Sequence, residues 1–152
     1  MNTLYERYEF RAEQLCIMHF TRSSEIKLVR KLNDPFLNGR IDPNLDLLFD
    51  IDDDNFYSGY QFGVTLKAIE GEYQIMTVLA NFSTHQYKNI AVPVLLVIFD
   101  IFLDKGYYLW INYPDAGRTL KTTGRFTSDK ILNLNSKGLK EITTKVSSFY
   151  SN

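Results

Sequence analysis

At 152 residues, 45% of them hydrophobic and 23% charged, the chain fits one domain able to bury a core without disulfides or a structural metal. Seventeen Lys and Arg against eighteen Asp and Glu, with a pI near 6.1, leave no overall basic footprint and weigh against a strong, non-specific nucleic-acid binder. The single cysteine, Cys16, excludes an intramolecular disulfide and a thiolate zinc cage, and fits a reducing compartment. The first residues lack a basic-then-apolar leader, and the longest uncharged apolar run, residues 90 to 99, is too short to cross a bilayer. A cytoplasmic chain with no membrane partner is therefore expected.

In chain order, Leu4, Tyr8, Ala12, Leu15 and His19 recur at steps of three and four, which predicts a helix over residues 3 to 20 capped by Asn2 or Thr3. Cys16 sits beside this stripe and reads as a small buried residue. On the helical wheel Glu9 falls at the border of the stripe, Glu13 somewhat farther out and Glu6 farther still. Glu9 can thus point toward a neighbouring sheet, against the commoner alternative of a charge that solvates the helix flank. His19, a lone histidine on an apolar face, reads as a hydrogen-bonded core residue and not a ligand.

Residues 26 to 32 form an expected edge strand, where lysines are tolerated, followed by a loop marked by Asn33-Asp34-Pro35 and Asn38-Gly39. A strand from residue 45 to about 51 comes next. The tract Asp50, Asp52, Asp53, Asp54 lacks the glycine and distal glutamate of a calcium loop and reads as a solvated turn closed by Gly59. Residues 60 to 69 return as a strand, and residues 73 to 80 are expected as a further one. Ser83 or Thr84 can cap a short helix through about residue 89, which Pro93 stops. Residues 94 to 99 are apolar on both parities, as in a strand covered on both faces, and should be the centre of the sheet. With residues 107 to 112 they should form a hairpin through Asp104-Lys105-Gly106. A polar strand is expected over residues 118 to 126, where Arg118, Lys121, Arg125 and Lys130 read as a solvated face. Leu139, Ile142, Val146 and Phe149 predict a final helix capped by Asn135 or Ser136. The expected fold is α/β (α+β): a central mixed sheet flanked by the helices near residues 4 to 20 and 83 to 89.

Two ionisable residues interrupt this pattern. Asp46 lies inside the apolar run Leu45-Asp46-Leu47-Leu48-Phe49, and Lys67 ends the run that begins at Phe62. At the margin of a buried sheet such groups are expensive unless they are used or paired. A carboxylate and a lysine on neighbouring strands suit metal-assisted attack on a phosphodiester. The carboxylate suits a hard cation such as Mg2+, and the ammonium suits water positioning or charge neutralisation in the transition state.

The order helix, strands bearing Asp46 and Lys67, helix, central strand and hairpin resembles the restriction-endonuclease-like PD-(D/E)XK superfamily of phosphodiesterases, and within it an uncharacterised prokaryotic branch. The matching stretches are Asp42-Pro43-Asn44-Leu45-Asp46, Thr65-Leu66-Lys67, the strand from Pro93 to Asp100, Tyr108-Leu109-Trp110, and Glu9-Phe10-Arg11-Ala12 in the first helix. The resemblance implies a nuclease-like fold acting on nucleic acid with Mg2+. It implies Asp46 as a metal ligand, Lys67 as the catalytic lysine and Glu9 as a carboxylate of the metal shell. The chain departs from that pattern at Asn44, which replaces a glycine, and at Thr65. There a Glu or Gln would supply the second ligand, and a short neutral hydroxyl is a poorer one.

Three readings follow from the sequence. The first is a metal-dependent phosphodiesterase using Asp46, Lys67 and Glu9. The second is a catalytically silent member of the same fold, an interaction module for nucleic acid or protein in a defence-type system. The third is a half-buried structural ion pair between Asp46 and Lys67. A homodimer is compatible with each reading and required by none.

Overall fold

The computed structural model describes residues 4–32, 44–53, 56–115 and 118–151. Asn2 and Thr3 as caps, the loop over residues 33 to 43 and Asp54 lie outside the described residues. Helix α1 (Leu4–Thr21) leads into strands β1 (Ile26–Lys31), β2 (Leu47–Asp53) and β3 (Phe56–Ile69). Then follow helix α2 (Ile75–Asn81), strands β4 (Val94–Asp100), β5 (Lys105–Asp115), β6 (Thr119–Thr122) and β7 (Leu132–Asn133), and helix α3 (Ser136–Ser151). The seven strands form one mixed α+β sheet in the order β1-β2-β3-β4-β5-β6, with β7 pairing β5 beyond the end of β6.

Every neighbouring pair is antiparallel except β3 with β4, which run parallel. That one parallel pair explains where the sequence reading fails. Two parallel strands need a crossover that returns the chain across a face of the sheet. Residues 73 to 80, expected as a strand, provide it as a 3-10 turn (Glu72–Gln74) followed by α2. Ile75 and Leu79 are buried and Val78 half-buried, so helical spacing carries the apolar side chains onto the sheet. The helix expected over residues 83 to 89 shrinks to a single 3-10 turn, His85–Tyr87, because α2 already covers that face.

All seven residues of β4 are buried, as expected for the central strand. Leu95, Val97 and Phe99 face a core shared with Ala12, Leu15, Cys16 and Phe20 of α1 and Ile142 and Val146 of α3. Val94, Leu96 and Ile98 face the opposite core with Ile75 and Leu79 of α2. The sheet is thus covered by α1 and α3 on one side and α2 on the other. The hairpin of β4 and β5 forms as expected, and Asp100 shapes its turn by accepting the Phe102 and Leu103 amides at 3.1 and 3.2 Å. β1 is an edge strand, and Asn135 caps α3 by accepting the Gly138 amide at 2.9 Å. The polar strand expected over residues 118 to 126 is only four residues long, β6, after which Phe126 turns inward to the α2 core.

Candidate functional site

Asp46 sits one residue before β2, where three hydrogen bonds fix it. Its carbonyl accepts the Leu32 amide at 2.8 Å, its amide donates to the Val64 carbonyl at 2.9 Å, and its Oδ2 accepts the Leu66 amide at 2.8 Å. The carboxylate therefore occupies a ladder position at the start of the strand, lying in the sheet's hydrogen-bonding direction instead of projecting squarely to one face. Burial pushes the Asp46 carboxyl above its ordinary value of 3.8. The Leu66 amide and the Lys67 charge pull it back, while Glu9 and Glu13 push it further up.

Thr65 and Lys67, two apart on β3, project to the face that α2 covers. With Asp46 they line a cleft of about 560 Å³ whose other wall is built by α2 and the segment after it, including Asn81, Gln86 and Tyr87. The sequence reading expects Asp46 and Lys67 on adjacent strands with their side chains on one side; Asp46 stands one residue before β2 and Lys67 on β3, and both line this cleft. Asp46–Lys67 is absent from the ion pairs of the described residues, although the Lys67 charge pulls the Asp46 carboxyl down. A contact ion pair is therefore a poor account of why both are present.

Thr65 is buried, and its hydroxyl is spent internally. It donates to the Asn44 carbonyl at 2.7 Å and lies 3.0 Å from the Tyr87 hydroxyl, which itself lies 3.1 Å from the same carbonyl. One proton from each hydroxyl satisfies this triangle, with Thr65 donating to Asn44 and Tyr87 donating to either oxygen. The triangle ties the segment before β2 to β3 and to the 3-10 turn. Thr65 thereby fixes the wall of the cleft next to Asp46.

Glu9 lies on α1, on the other side of the sheet, and is solvent-exposed. It does not line the cleft, though its charge reaches Asp46. Glu13, placed farther from the apolar stripe by the wheel, is the more enclosed of the two and pairs with Lys31 at 3.1 Å. The wheel ranks angle and ignores position along the axis. Glu9 stays in solvent, while Glu13, one turn on, is half-buried beside β1. The pairing of Glu13 with an edge-strand lysine was the missed signal. Cys16 is buried as expected, and its thiol is held well above its usual range by burial, Asp46 and Glu13. His19 is half-buried against the edge of the Phe99 ring, 5.0 Å between centroids.

Among the described residues no group of three His, Cys, Asp or Glu side chains converges as a metal cage. A magnesium ion asks less than that, since it keeps several waters and binds through one or two carboxylates plus substrate phosphate. Asp46 is the carboxylate of the cleft, with one oxygen already accepting the Leu66 amide. No helix of the described residues is long and apolar enough to cross a membrane. Compared with protein-family models, curated proteins and solved structures, the chain matches none.

Proposed function

We propose that the Asp46–Lys67 cleft is the site of a metal-dependent phosphodiesterase acting on nucleic acid, in a fold of PD-(D/E)XK type. The observation that carries this reading is a carboxylate kept beside a lysine in one cleft, against the cost of burial and without a contact ion pair. A structural role for Asp46 would be served as well by a neutral asparagine, which also accepts the Leu66 amide. Asp46 would hold Mg2+ together with substrate oxygens. When bound, the ion supplies charge neutralisation at the phosphate and a more acidic water. Lys67 offers a positive charge to the same phosphate, and the Asn81 and Gln86 amides in the opposite wall offer hydrogen bonds to the rest of the substrate.

A second reading, a silent nuclease-fold module that binds nucleic acid or protein, is favoured by the spent Thr65 hydroxyl, which leaves Asp46 without a second firm ligand. Crystals soaked in Mn2+ separate the two. The phosphodiesterase reading expects anomalous density beside Asp46 that disappears in Asp46→Asn. Absence of metal at Asp46, with nucleic-acid binding retained, would decide for the silent module.

A further inference from the structure

The cleft that holds Asp46 and Lys67 has two unlike walls. On the sheet side stand the carboxylate and the lysine, both half-buried, so a phosphate that meets them does so inside the cleft and not on an open face. The wall opposite, built by α2 and the segment after it, is neutral: residues 75 to 84 include no charged side chain. Lys67 is the single cation lining the cleft among the described residues.

The neutral wall still has a definite chemistry. Val78, Asn81 and Phe82 recur at steps of three and four and share one side of α2 as it ends. Phe82 is half-buried, its ring stacked on Tyr87 at 5.7 Å between centroids, and with Val78 it gives the wall an apolar patch. Beside that patch stand two exposed amides. Asn81 donates one N–H to the Thr77 carbonyl at 3.0 Å, which leaves its second N–H and its Oδ1 to a ligand. The Gln86 amide makes no hydrogen bond among the described residues, so both its donor and its acceptor ends are open.

Duplex nucleic acid is held chiefly by Lys and Arg at its phosphates, while its base faces are stacked and its pairing edges are used. The α2 wall offers no cation for a second row of phosphates. An unpaired strand presents what this wall can meet: a flat base face for the apolar patch, and a free edge of donors and acceptors for side-chain amides. We infer that the cleft selects a single strand over a duplex, with the phosphate at Asp46 and Lys67 and an unpaired base against Phe82 and the Asn81 and Gln86 amides. The inference rests on the phosphodiester reading of this cleft and adds strandedness to it.

Fluorescence anisotropy of a labelled strand of about 12 nucleotides tests this, with Ca2+, which takes the same oxygen ligands, in place of Mg2+. The single strand should bind the full chain at least about tenfold more tightly than the same strand annealed to its complement. Asn81→Ala/Gln86→Ala should weaken the single strand by about tenfold and leave duplex binding as it was. Both side chains are exposed, so the double variant should keep the parent's melting temperature. A duplex bound as tightly as the single strand, binding of neither, or a folded double variant with undiminished affinity would each overturn the inference. The phosphodiesterase reading fails on a different result: a protein that prefers the single strand in this way and never cuts it in Mg2+ keeps the selectivity and loses the chemistry. Duplex cut as fast as single strand, in a manner that depends on Asp46, would keep the chemistry and overturn the selectivity.

Discussion

The clearest consequence of burial at a single residue concerns Asp46. Its folded pKa is raised, so the native state binds the carboxyl proton more readily than the unfolded chain does. Stability then falls as pH rises from the ordinary carboxylate value of 3.8 through the raised native value, and the full cost of burying the charge is present at neutral pH. Asp46→Asn should therefore melt at a higher temperature than the parent at pH 7, and the gain should vanish below about pH 4, where both states are protonated. Equal melting temperatures across pH 3 to 8, followed by circular dichroism, would remove the claim that the charge is costly. Thr65 makes the complementary prediction. Thr65→Val removes a buried donor to the Asn44 carbonyl and should cost about 1 to 2 kcal/mol in urea unfolding, with the cleft residues otherwise unchanged. Asp46 and Lys67 were legible in the sequence because charges stand out inside apolar runs. The Thr65 triangle was not, since Asn44 and Tyr87 meet it from 21 and 22 positions away.

Among the elements, α3 reverses an ordinary expectation. Glycine in a helix usually costs about 1 kcal/mol against alanine, so Gly138→Ala would be a stabilising change on an isolated helix. Here a Cβ at Gly138 would stand 2.4 Å from the Asn133 carbonyl oxygen and 2.9 Å from the Tyr108 ring. The backbone of β7 cannot give way without losing its pairing to β5. Gly138→Ala should thus destabilise the chain by about 1 to 3 kcal/mol, and a variant as stable as the parent in chemical unfolding would contradict this packing. α3 was legible from its helical spacing, and the β4–β5 hairpin from two apolar runs of strand length joined by the turn residues Asp104-Lys105-Gly106. Residues 73 to 80 were not: Tyr73, Ile75, Thr77 and Leu79 alternate as a strand would, while Ile75, Val78 and Leu79 also satisfy a helix. The choice is made by the parallel pairing of β3 with β4, a tertiary fact that a local window does not contain.

At the scale of the molecule, the sheet separates two clefts of different character. One, under α2, holds a costly carboxylate beside a lysine; the other, beside α3, is lined by Trp110 and Tyr113 with lysines and acidic residues in equal number. The sheet, its central strand and the neighbourhood of Asp46 and Lys67 follow from patterning along the chain. That Glu13 and not Glu9 is enclosed depends on how α1 seats against β1, which a wheel does not contain. The central claim is that Asp46 is kept for phosphodiester chemistry. Its most direct test is cleavage of end-labelled single- and double-stranded DNA and RNA at about 10 mM Mg2+ or Mn2+, comparing the parent with Asp46→Asn. Metal-dependent cleavage by the parent, slowed at least about 100-fold in the folded Asp46→Asn protein, is the predicted result. Cleavage that survives Asp46→Asn, or none by the parent on any of these substrates, would contradict it.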